Sequence, residues 1–255
     1  MYRRSATRPR SRRLEPPAPG LAPRSPYSPV VLNRLQGEDV GRQEMRRKVF
    51  EPLRRAGLEV LEGGVPDAPL PVFAVVQTVG CGQETGRRDA YVGFDEPDLI
   101  GRANRGWYEL ATSFGLFGAD REFLLALPAH RYNPRVDLHR PYVWRRVRLL
   151  DDWDIMGAAA GIRRGRSVLG FDDCLLGSRA GRPEFSMLSL DSTVSVVGTT
   201  WQGGISSLAV PDPGDTEPVR RLIDYEANQA EDISEHRLDA EAWLRREAPA
   251  AADGA

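Results

Sequence analysis

Apolar and polar positions change period along this chain, and the changes mark out its elements. From Glu38 the apolar positions Val40, Met45, Val49, Phe50 and Leu53 recur at three- and four-residue spacings with charges between them, which predicts a helix. Pro52 deletes one of its hydrogen bonds and pushes Glu51 out of the α region, so a kink or restart is expected there, and Gly57 ends the helix. Leu58 to Leu61 then alternates as a first strand.

The middle of the chain breaks into short apolar runs bounded by Gly, Pro, Asn or Asp. Val72 to Val79, Asp89 to Phe94, Trp107 to Thr112, Phe123 to Leu127 and Tyr142 to Leu150 are each read as strands, with a helix left open for the last, whose alternation is imperfect. Asp151 to Ala160 predicts a short helix capped by Asp151 or Asp152. Glu184 to Val210 gives the clearest signal. Phe185, Met187, Leu188 and Leu190, then Val194, Val196 and Val197, flank an Asp191-Ser192 turn, and Ile205, Leu208 and Val210 supply a third run, a β-meander. Beyond the Pro211 to Asp215 loop, Pro218 opens a helix with the stripe Val219, Leu222, Ile223, Ala227 and Ala230. Ser234 caps a second helix running through Leu238, Ala242 and Leu244.

Helices at both ends around many short strands predict an α+β fold with a mostly antiparallel sheet, because the regular strand-helix alternation of a doubly wound fold is missing. Residues 1–35 read as a disordered Arg/Pro-rich arm, 36–248 as a single α+β domain and 249–255 as a disordered tail. No internal repeat is evident and no motif identifies a family.

Composition narrows the setting. With 41% hydrophobic and 28% charged residues in 255, the chain has ordinary globular usage and enough apolar surface for a sizeable core. No apolar run approaches the roughly 18 residues that span a bilayer, so no membrane association is expected. The Arg-rich head is followed by prolines rather than the apolar segment of an export signal, and two cysteines, Cys81 and Cys174, are too few for a disulfide framework. A cytoplasmic location is expected. Charge is unevenly distributed: residues 1–35 hold eight arginines against Glu15 alone, whereas residues 211–255 hold 12 acidic and 5 basic side chains. Because Lys48 is the only lysine, the choice of arginine reflects a high-GC coding bias and only its clustering is informative.

Four polar clusters invite a chemical reading. Gly80-Cys-Gly-Gln-Glu-Thr-Gly86 resembles a phosphate-cradling loop only in composition: no helix start and no Lys-Ser/Thr follows, so a turn or bulge is expected. Cys81 sits between glycines without a base placed by local sequence, which favours a small buried or half-buried thiol over a nucleophile. His130, Asp137 and His139 are the right ligand types for zinc or iron, but the spacing matches no familiar motif and Arg131, Arg135 and Arg140 surround them, so an Asp-Arg-stabilised loop is expected. The acidic clusters Asp151-Asp-Trp-Asp154 and Asp172-Asp173 suit helix caps and turns better than acid/base work or Mg²⁺ binding. The segment Trp201-Gln-Gly-Gly204 reads either as an exposed binding loop or as a strand end and turn.

These readings favour a non-catalytic protein-interaction or regulatory module that needs no cofactor, with the sheet and the acidic C-terminal helices facing a protein partner. The alternative is a hydrolase built on His130, Asp137 and His139 with Cys81 or Asp172 and Asp173. A third reading has residues 1–35 contact nucleic acid through counterion release, although only Tyr2 and Tyr27 are available to stack on bases.

Overall fold

Seven strands form one antiparallel sheet in the computed structural model, which describes residues 43, 45–128, 142–159, 175–177, 182–229 and 235–248. They are β1 (Leu58–Val60), β2 (Arg88–Gly93), β3 (Glu122–Pro128), β4 (Tyr142–Leu149), β5 (Phe185–Leu188), β6 (Val194–Trp201) and β7 (Gly204–Pro211), in the order β1-β4-β3-β5-β6-β7-β2. The helices are α1 (Glu51–Arg55), α2 (Val72–Val75), α3 (Leu99–Phe114), α4 (Ile155–Ala159), α5 (Glu217–Ala227) and α6 (Glu235–Glu247). The α+β architecture expected from the pattern is the one observed, and residues 41–255 cluster as one unit.

Period-two alternation divides each central strand between two cores. Phe123, Leu125 and Leu127 of β3 point to one face with Met187, Val196 and Ala209, and α1, α3 and α4 cover them. Leu124 and Ala126 point to the other with Trp144, Leu188, Val197 and Leu208, beneath α2, α5 and α6. The meander expected around the Asp191-Ser192 turn is present. Phe185 lies opposite Gly198, Met187 opposite Val196 and Val196 opposite Ala209, and Phe185, Val194 and Val196 are all buried.

Two predicted strands are helices. Val72 to Val79 forms α2 continued by a 3₁₀ turn at Val76–Gly80, beginning after Pro71, whose fixed φ suits a helix entrance. Trp107 to Thr112 lies inside α3, where Ala103, Trp107 and Ala111 make a buried stripe at four-residue spacing. Gly106 obscured that stripe in the sequence. A Cβ there would come within 2.8 Å of the Ala90 side chain, so glycine is what lets α3 lie this close to β2.

Smaller departures have equally local causes. The kink expected at Pro52 is a π-helical turn at Arg46–Phe50 running into α1, and Gly57 closes it at φ +86°. Asp154, not Asp151 or Asp152, caps α4: its carboxylate accepts the Gly157 amide at 2.8 Å and the Asn104 side-chain amide at 2.8 Å. In α6 the buried residues are Ala240 and Trp243, while Leu238, placed on the apolar stripe by periodicity, is 53% exposed. Ser234 and Ala230 lie outside the described residues.

Candidate functional site

The face under α5 and α6 is only partly covered, and a cleft of about 590 Å³ opens there. Its floor is sheet: Ala126, Ser186 and Val197, linked by cross-strand pairing of Ser186 with Val197, and Thr199 beyond them. One wall is the helical turn after Pro71, presenting Val72, Phe73, Val76 and Val79. The other is the first turns of α6, from which His236 and Asp239 line the cleft. Arg182, Glu184 and Tyr142 complete the rim.

Each wall is held by a contact reaching across the chain. The Trp144 indole donates to the Leu70 carbonyl at 2.7 Å, fixing the approach to α2 against β4. The Phe73 ring stacks on His236 with centroids 4.7 Å apart and planes inclined by 28°, tying α2 to α6. Arg220 lies over the Trp243 ring at 5.2 Å and joins α5 to α6. The result is an apolar trough with hydroxyls on its floor and charges at its rim. Chemically it can hold an apolar body while hydrogen-bonding a polar end. The same lining also holds a hydroxyl (Ser186), an imidazole (His236) and carboxylates (Glu184, Asp239), the group types used in acyl transfer.

Further along the same face the sheet carries a row of alternating charge instead of a cleft. Glu59 of β1, Arg148 of β4 and Glu122 of β3 lie side by side across three strands. The Glu122 carboxylate is buried and accepts from Arg148 Nη2 at 2.7 Å and from Arg146 Nε at 2.8 Å. These hydrogen bonds, from Arg148 first and Arg146 second, hold its carboxyl below the ordinary 4.5 against the opposing effect of burial.

Among the described residues, neither Cys81 nor the Asp151-Asp152 pair nor Trp201 lines the cleft. The Gly80 to Gly86 segment is two 3₁₀ turns leading into β2, with Gly86 at φ +82°. It aims the Val79 and Cys81 carbonyls at the Arg87 guanidinium, 2.7 and 2.9 Å away, whereas a phosphate cradle needs N–H groups pointing inward. Arg87 in turn forms a two-pronged pair with Asp89. Cys81 is a buried free thiol, as its apolar surroundings suggested. Trp201 to Gly204 is a hairpin turn between β6 and β7, with Trp201 44% exposed. His130, Asp137, His139, Cys174, Asp172 and Asp173 all lie outside the described residues.

Sequence reasoning missed the cleft because its walls come from residues 72–79, 182–200 and 236–239, with no local spacing to relate them. Phe73 falls in a run that reads as a strand, and no local pattern singles out His236. Among the described residues no group of three or more His, Cys, Asp or Glu converges as a metal site, and no helix is long and apolar enough to cross a membrane. No family model matches the chain, no curated protein matches it, and no solved structure matches it.

Proposed function

We propose that this protein is a non-catalytic binding module of regulatory type, in which the cleft between the sheet and α6 takes up a ligand with an apolar body and a polar end. The observation that supports this reading is the cleft itself. Its volume of about 590 Å³ falls within the range of roughly 300–1,000 Å³ used by small-molecule sites, and its apolar walls surround a few hydroxyl and charged groups. The Phe73–His236 stack joins the two walls, so a ligand entering between them is read by both α2 and α6. A partner contacting the exposed surface of α6 would then sense occupancy, because the ligand and that surface share one helix.

An anilinonaphthalene sulfonate dye, an apolar ring system with one anionic end, tests the cleft as a binding site. Wild-type protein should bind it saturably with enhanced fluorescence. Thr199→Trp, which fills the floor at a partly exposed position, should lose most of that enhancement while melting at an unchanged temperature. Identical titrations in the two proteins would overturn the assignment.

One observation favours a second reading, ester hydrolysis with Ser186 as nucleophile and His236 as base: both line the same cleft. Turnover of an activated aryl ester that disappears in Ser186→Ala would replace the binding module with this reading.

A further inference from the structure

The two edges of the sheet differ in a way that bears on assembly. At one edge β1 is only three residues long, which leaves little backbone to pair. At the other, β2 runs six residues in unbroken register with β7 and has no proline between Arg88 and Gly93. Among the described residues no strand pairs with its outer side, and it is neither short nor broken by proline; its charges, Arg88 and Asp89, lie at one end. Exposed aromatics flank it: Tyr91 is 53% exposed and lies across the Gly203-Gly204 backbone, Phe94 is 46% exposed, and Trp201 sits opposite Gly204 in the adjoining hairpin.

We propose that β2 pairs antiparallel with β2 of a second copy of this chain, extending the sheet across a two-fold axis. Charge selects both the occupant and the direction. Arg87 precedes the strand, which begins at Arg88 and runs into Asp95, Glu96 and Asp98. Within one copy Arg87 is paired with Asp89, Glu96 with Arg102 and Asp98 with Arg105. Arg88 and Asp95 are both exposed, and neither has an ion pair among the described residues. Antiparallel self-pairing brings the basic end of one strand beside the acidic end of the other, so Arg88 meets the partner's Asp95 turn twice over. Parallel pairing would set like charges together. The same axis passes close to α3, because Gly106 rests on Ala90, so α3 comes alongside its symmetry mate.

Sedimentation of the full chain over a concentration series tests this directly. Wild type should sediment at twice the chain mass at high concentration, and raising salt should weaken the dimer. Arg88→Asp and Asp95→Arg should each weaken self-association by roughly tenfold or more, and the double charge swap should restore it. Amide exchange of residues 88–93, measured on the wild type alone, should slow as concentration rises, a readout that does not depend on any variant folding. A wild type that stays monomeric throughout would overturn the proposal. So would single variants that associate like wild type, a double variant that fails to recover, or β2 amides whose exchange ignores concentration.

Discussion

The two faces of the sheet are built from the same alternating strands yet use their residues differently. The face under α3 is closed by large apolar and aromatic groups: Trp107 is fully buried and meets Trp153 edge-on at 5.2 Å and Phe117 at 6.1 Å. The face under α5 and α6 is apolar only at its centre. One end opens into the cleft and the other carries the Glu59, Arg148, Glu122 row. The first face is given over to packing, with only isolated polar atoms such as the Trp107 indole nitrogen and the Ser207 hydroxyl enclosed in it, while the second has room for groups that can be rearranged or satisfied by something outside the chain. Substitutions on the first face should therefore be read in folding, and those on the second in pH response and binding.

The most severe test is Val196→Asp. Val196 is fully buried on the α3 face between Met187 and Ala209, and an unpaired carboxylate there should cost upwards of about 3 kcal/mol and abolish folded expression. A well-folded variant, judged by circular dichroism, would show that this face is not the sealed one.

Glu122→Gln comes next. It leaves Arg146 and Arg148 facing each other without their anion, but these guanidiniums are 34% and 38% exposed and water screens part of the loss, so about 1–3 kcal/mol is expected from chemical denaturation. The pH dependence sharpens the point. A carboxyl held below its ordinary value stabilises the fold fully above about pH 4.5 and loses that contribution as pH falls through its lowered value. The melting temperatures of wild type and Glu122→Gln should accordingly diverge most near neutrality and converge in acid. A constant gap down to pH 2 would mean that the row acts by packing and not by charge.

Asp191→Ala should have a smaller effect. Its carboxylate accepts from the Ser189 hydroxyl at 2.6 Å and from the Thr193 hydroxyl and amide at 2.8 and 3.1 Å, organising the turn between β5 and β6. Partial burial pushes this carboxyl up, yet these hydrogen bonds keep it below its ordinary 3.8. Removing them from an exposed turn should cost about 1 kcal/mol, measurable as a shift in urea midpoint with an unchanged slope. The least disturbing variant is Thr199→Trp, which on the cleft side should alter dye binding and leave the midpoint within about 0.5 kcal/mol of wild type.

Local physics was enough for the elements whose period is unambiguous. Alternation around the Asp191-Ser192 turn specified the meander because one-residue slips would exchange its buried and exposed sets, and Pro218 with Val219 and Ile223 specified α5. Pro52 and Gly57 marked the end of the first helix through their backbone constraints alone. Val72 to Val79 reads as a strand in sequence, but its apolar run has no period that separates strand from helix; packing under α6 and the Trp144 bond to Leu70 made it helical. Nor could the sequence place a helix through Gly106, whose cost of about 1 kcal/mol in a helix makes sense only with Ala90 directly beneath. The cleft and the Glu122 row belong wholly to tertiary structure. Their members come from strands and helices distant in sequence, and only tertiary packing brings Ser186, Phe73 and His236 to one cleft or sets Glu122 between Arg148 and Arg146, because spacing along a chain carries no information about which elements become neighbours.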